Sequence, residues 1–108
     1  MYDPNAFHLF DLNGHDSIHD AIHPLNTGKL QETFYHEIVY RGEFYYLERA
    51  VKQVEISPQK ISAIISGTEN YQTSFYVLED KIMGTCNCPY DGPCKHQVAL
   101  AYYLIRGS

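Results

Sequence analysis

Residues 86–96 read Cys86-Asn87-Cys88-Pro89-Tyr90-Asp91-Gly92-Pro93-Cys94-Lys95-His96. This stretch holds all three cysteines of the chain and follows the pattern C-x-C-x5-C-x-H. Three thiolates and one imidazole match tetrahedral structural zinc, which takes sulfur at about 2.3 Å and nitrogen at about 2.1 Å. The sequence therefore predicts one zinc ion held by Cys86, Cys88, Cys94 and His96.

The spacing of these ligands suits two pairs that hold one ion from opposite sides. In an extended segment residues i and i+2 point the same way, so Cys86 and Cys88 can bind from a strand end. Pro89, Pro93 and the Asp91-Gly92 turn stiffen the return loop, which lowers the entropy lost when the pairs meet. Because four protein ligands leave no open position for water, we expect a structural zinc and no catalytic role.

Two other interpretations of these residues stay open at this point. The cysteines and His96 can be small buried side chains that lie close by chance. Alternatively, Cys94 can be a nucleophile activated by His96 or by a helix terminus, in a thiol- or zinc-dependent enzyme. Clustered ligands with turn residues between them favour chelation over both. An iron–sulfur cluster would ordinarily need a fourth cysteine.

Hydrophobic periodicity around this stretch predicts an α+β fold. Lys29 to Leu47 follows a helical period, and Lys95 to Ile105 has the pattern of an amphipathic helix. Between them the period is two, which predicts strands around residues 54–56, 61–65, 71–77 and 81–85. Short turns between these strands make neighbours antiparallel. We expect a helix packed on a small antiparallel sheet, followed by a zinc knuckle that leads into the C-terminal α-helix.

The start of the chain differs in composition from the rest. Four of the six histidines lie in residues 1–28, and residues 1–40 hold six acidic residues against Lys29 alone. We therefore divide the chain into an acidic, His-rich N-terminal arm, residues 1–28, and a zinc-binding domain, residues 29–108.

Within the arm, apolar and histidine residues both recur at helical spacing. Ile18 and Ile22 predict a short helix that Pro24 ends. The histidines at positions 15, 19 and 23 would share one side of that helix. A solvated boundary beside the apolar residues is the favoured interpretation, and a second metal site is the alternative.

Composition and charge exclude several classes of protein. With 44% hydrophobic residues the chain is not disordered, and its longest apolar run, Val98–Ile105, is far below the about 20 residues of a membrane span. The net charge is −5, so the basic surplus of a stand-alone nucleic-acid binder is missing. The N-terminus has no secretory-signal pattern, and we expect a cytoplasmic location, or a nuclear one in a eukaryote.

The pairs Cys86-Asn87-Cys88-Pro89 and Cys94-Lys95-His96, followed by an Ala-rich apolar helix, resemble the SWIM zinc finger. Upstream, residues 41–46 (Arg41-Gly42-Glu43-Phe44-Tyr45-Tyr46), then Val51, Gly67 and Tyr71, resemble the segment before the finger in many bacterial members. The resemblance covers residues 40–105. Arg49-Ala50 departs from the family, which often has a glycine there.

The resemblance implies that the same four residues ligate zinc and that the module is non-catalytic. It also implies a place in a larger protein or complex, such as SNF2-type helicases or transposases, and binding to DNA or protein. We expect a protein or DNA partner, no membrane and no small-molecule substrate. Possible partner contacts are Lys81, Tyr90, Lys95 and Arg106.

Overall fold

The computed structural model describes residues 5–107. Its elements, in chain order, are β1 (Phe7–Asp11), α1 (Ile18–Ile22), α2 (Thr27–Thr33), α3 (His36–Leu47), β2 (Val51–Ile56), β3 (Lys60–Ser66), β4 (Asn70–Leu78), β5 (Lys81–Cys86) and α4 (Lys95–Arg106). The strands form one antiparallel sheet in the order β1-β5-β4-β3-β2. The predicted α+β fold, with its C-terminal helix after the Cys/His region, is confirmed.

One face of the sheet carries the core because the apolar residues of its strands alternate. In β3 the side chains of Ile61, Ala63 and Ile65 are buried, and Phe75 of β4 and Ile82 of β5 lie on the same face. Helix α4 covers this face and contacts β2 to β5. The core therefore sits between α4 and the sheet.

Helix α4 is the central element of the packing. Its residues 96–102 and 104 are buried. The fully buried Tyr102 has its hydroxyl within 2.7 Å of Thr27 Oγ1 in α2, so the single polar atom of this ring is satisfied. The burial of most of α4 fixes the position of the residues at its N-terminus.

The helix predicted over residues 29–47 is two helices, so that prediction was wrong in its continuity. The Asn26 side chain caps α2 by accepting a hydrogen bond from Lys29 N. The chain then becomes extended at Phe34 and Tyr35, which turns the buried Phe34 ring toward Phe10 of β1. Burial of this ring outweighs the helical pattern.

The sequence analysis also missed β1, which pairs with β5 as an edge strand. A register shift between His8 and Phe10 places Leu9 in the core while Phe10 contacts the Phe75 ring. This irregularity breaks the period of two that marks a strand. In the arm, α1 is capped by Ser17 and buries Ile18 and Ile22.

Candidate metal centre

Cys86 is the last residue of β5, and Cys88 lies two residues after it. Cys86 lies opposite Thr73 of β4, and Thr73 Oγ1 donates a hydrogen bond of 3.2 Å to the Cys86 sulfur. Asn87 continues the pairing, because its backbone N–H donates to Gln72 O and its side-chain oxygen accepts from Gln72 N. This pairing holds the Cys-x-Cys segment extended beside β4.

Cys94 and His96 come from the first turn of α4. Cys94 is the N-cap residue: its sulfur accepts from the backbone of Gln97, whose side chain in turn accepts from Cys94 N at 3.0 Å. This reciprocal capping satisfies two backbone N–H groups at the helix start. Cys94 and His96 are 1% and 3% exposed, so the buried helix carries both ligands into the interior.

The four candidate ligands converge on one point. One atom of each of Cys86, Cys88, Cys94 and His96 lies within 4.8 Å of the others. His96 Nδ1 lies 3.5 Å from the Cys86 sulfur and 3.8 Å from the Cys94 sulfur. A zinc tetrahedron with ordinary bond lengths has sulfur–nitrogen edges of about 3.6 Å. The cluster therefore fits one structural Zn²⁺, with Nδ1 of His96 facing the metal position.

Two tyrosine rings fix the orientation of His96. Tyr71 of β4 stacks on the imidazole with ring centroids 4.4 Å apart, and Tyr45 of α3 meets it edge-on at 5.4 Å. Nε2 of His96 is buried and has no hydrogen-bond partner among residues 5–107. Aromatic packing therefore replaces the hydrogen bond that usually orients a ligating histidine.

The three thiols differ in how readily they ionise. A hydrogen bond from the Cys94 thiol lowers the pKa of Cys86 to about 4, although burial acts in the opposite direction. The same hydrogen bond, together with burial, raises the pKa of Cys94. Burial also raises the pKa of Cys88. One thiolate is thus favoured by the protein itself, and a divalent cation ionises the other two.

These four ligands complete a tetrahedral set, which argues against the open metal position of a zinc enzyme. With zinc bound, we expect all three thiols to react slowly with a disulfide reagent such as DTNB, and to react fully once a chelator is added. Rapid labelling of one thiol per chain before chelation would instead support the alternative in which Cys94 is a nucleophile.

The structure does not gather the predicted contact residues on one surface. Lys81 begins β5 and so lies a strand length from the metal centre, while Tyr90 and Lys95 lie beside it. Arg106 ends α4, about 16 Å from Lys95 by helical rise, and forms an ion pair of 2.8 Å with Glu43. Their role in contacting a partner stays a prediction.

The histidines of the arm do not form a second cluster of metal ligands. Among residues 5–107, the His, Cys, Asp and Glu side chains that lie close enough together to hold a metal ion are those of the Cys₃His cluster. Helix α1 starts after His15, and His23 Nδ1 lies 3.0 Å from Leu104 O, where it tethers α1 to α4. His19 stacks on His23.

Sequence reasoning missed the residues that surround the ligands. Tyr45 and Tyr71 lie far from the knuckle in sequence, and Thr73 is one of several polar residues in β4. Thr73 carried a signal, since it is the single polar residue on the inward side of residues 71–77. Tyr45 and Tyr71 belong to the segment that resembles the family, but no pattern in the sequence indicates that they contact His96.

Comparison with known proteins agrees with this geometry. Residues 71–105 match the family model of the SWIM zinc finger, a segment that spans β4, β5, the knuckle and α4. No curated protein and no solved structure gave a significant match. Among the described residues, none of the helices has the length and apolar character needed to cross a bilayer.

Proposed function

Because residues 71–105 match the family model of the SWIM zinc finger, we propose that the chain is a zinc-stabilised, non-catalytic interaction module whose partner is a protein. The module serves a larger nucleic-acid-processing protein or complex of the SNF2 helicase type, as the family resemblance implies. The observation that carries a protein partner is an apolar surface on α3.

This surface, the α3 stripe, consists of Tyr40, Phe44 and Leu47. The three residues are 75%, 58% and 62% exposed and follow the spacing i, i+4 and i+7, so they share one side of α3. Monomeric domains rarely leave neighbouring large apolar side chains uncovered without an interaction role.

The α3 stripe continues into a groove at its C-terminal end. Leu47 lines a groove of about 540 Å³ together with Tyr46, Arg49, Val51 and Tyr103. An i, i+4, i+7 row beside a groove lined by aromatic and aliphatic side chains and one cation is an arrangement that can receive an amphipathic helix. A helix of the partner protein is therefore the proposed occupant.

DNA is the second candidate, because the SWIM resemblance implies it. Binding along a DNA backbone needs an extended row of cations, whereas Lys81 and Lys95 are far apart and Arg106 is engaged by Glu43. The net charge of −5 also opposes binding to a polyanion. These observations favour the protein partner.

Photo-crosslinking tests the proposed stripe. A crosslinking amino acid at position 44 in the zinc-loaded chain, expressed in its source cells, should give a discrete protein adduct. The same residue at the exposed Gln59 is the control and should not. A Tyr40→Ser change should remove the adduct without unfolding the chain, since exposed substitutions cost within about 0.5 kcal/mol.

Fluorescence anisotropy with labelled single- and double-stranded DNA separates the two candidates. We expect no binding at about 50 mM salt. Binding that falls steeply by about 200 mM salt would show phosphate contacts. If position 44 also gave no adduct, DNA would be the partner and the proposed protein partner would be wrong.

A further inference from the structure

A second surface feature lies beside the metal centre, on the other edge of α3. It is a cleft of about 240 Å³ that shares Cys88, Cys94 and His96 with the metal centre. Its remaining walls include Arg41, Tyr45, Thr68, Tyr71, Tyr90 and Lys95. Arg41 follows Tyr40 directly in α3, so the cleft and the α3 stripe adjoin each other along this helix. We call it the tyrosine cleft.

The tyrosine cleft exists because α3 and α4 approach closely at Gly42. A Cβ atom at position 42 would lie 2.4 Å from Val98 Cβ and 2.8 Å from the Lys95 carbonyl oxygen. This contact brings Arg41 of one helix next to Lys95 of the other. Two cations from separate elements are thereby held at one cleft.

The tyrosine cleft carries a net positive charge, because Arg41 and Lys95 outweigh the single negative charge of a zinc centre with three thiolates, two of which, Cys88 and Cys94, line the cleft. No Asp or Glu belongs to the described residues that line it. Arg41 and Lys95 form no ion pair within residues 5–107. Lys95 Nζ instead lies 5.3 Å from the centroid of the Tyr45 ring.

The walls between the two cations are aromatic. Tyr45 and Tyr71 are half-buried and are held against His96, while Tyr90 in the knuckle is 47% exposed. Rings fixed by packing around the metal centre give a preformed wall, so little side-chain entropy is lost on binding. Guanidinium and ammonium groups at such a wall favour an anion attached to an apolar group.

We propose that the tyrosine cleft binds an acidic side chain, a carboxylate or a phosphate, presented by the protein partner that covers the α3 stripe. The inference rests on the proposed function, since Arg41 joins the two surfaces. Arg41 and Lys95 pair with the anion, and the tyrosine rings contact the apolar part of the side chain. The stripe supplies apolar area, while the cleft selects for a negative charge.

The test uses small probes in place of the partner. Phenyl phosphate and benzoate, titrated separately into the zinc-loaded full chain at low salt, should shift amide NMR signals around residues 41, 68, 71, 90 and 95. Tighter binding of phenyl phosphate would indicate a phosphorylated side chain as the natural ligand, and tighter binding of benzoate would indicate a carboxylate. Arg41→Gln and Lys95→Gln should each weaken binding about tenfold.

Matched variants make the result specific. Lys52→Gln removes a cation from the exposed part of β2 and should leave binding unchanged, with zinc content measured for every variant. Phe44→Ser should also leave probe binding unchanged, which separates a failure of the cleft from a failure of the stripe. The proposal is overturned if neither probe shifts these signals, if Lys52→Gln weakens binding equally, or if thymidine monophosphate binds more tightly than both probes.

Discussion

Removal of zinc with a strong chelator is expected to lower the melting temperature by at least about 20 °C and to unfold the knuckle first. Structural zinc contributes about 10 to 16 kcal/mol in peptides, comparable with the about 5 to 15 kcal/mol that stabilises a whole domain. For a domain of this size a loss of only about 4 kcal/mol produces that shift. Acid should act in the same direction, because protons compete with zinc for the thiolates.

Hydrogen exchange measured before and after chelation checks where unfolding begins. Amides of residues 86–97 should lose protection at once, whereas Val98 to Leu104 should lose it later, because they remain packed against the sheet. Cys88→Ala should reproduce the effect of the chelator, and Asp91→Ala, in the same loop, should not. Equal melting temperatures with and without zinc would contradict a structural role for the metal.

The metal centre was predictable because its parts are adjacent in sequence. Four ligands within eleven residues, with two prolines and a glycine between the pairs, define the chelate before any tertiary contact is considered. The sequence did not specify which nitrogen of the His96 ring faces the metal. That choice is set by Tyr71 and Tyr45, which reach the ring only after β4 and α3 have packed.

The sheet was predictable where alternation is regular and unpredictable where it is not. Strands β3 and β4 alternate along their whole length, whereas the shift within β1 hides that strand. The break before α3 depends on burial of Phe34 against Phe10, a contact between residues 24 positions apart. Long-range packing of this kind overrides local periodicity.

Gly42→Ala is expected to destabilise the protein by about 2 kcal/mol, although alanine favours a helix more than glycine does. The added Cβ would lie 2.4 Å from both Cβ and Cγ1 of Val98 and 2.8 Å from Lys95 O. Val98 Cβ and Lys95 O are fixed by the backbone of α4 and cannot rotate away, so the two helices must separate. Such overpacking costs about 1 to 3 kcal/mol, against a gain of at most about 1 kcal/mol from helix propensity.

Urea unfolding of the zinc-loaded protein measures this change, with Gly28→Ala as the control. At position 28 the nearest atom to the new Cβ is Asn26 Oδ1, the cap of α2, 3.3 Å away. This side-chain atom needs to shift by only a few tenths of an ångström, so the expected change is smaller than at position 42. Adding Val98→Ala to Gly42→Ala should recover part of the loss, because it removes Cγ1 from the clash. Since Lys95 lies between the ligands Cys94 and His96, separation of the helices should also weaken zinc binding. Unchanged stability and zinc affinity in Gly42→Ala would show that α3 and α4 are not in contact at this point.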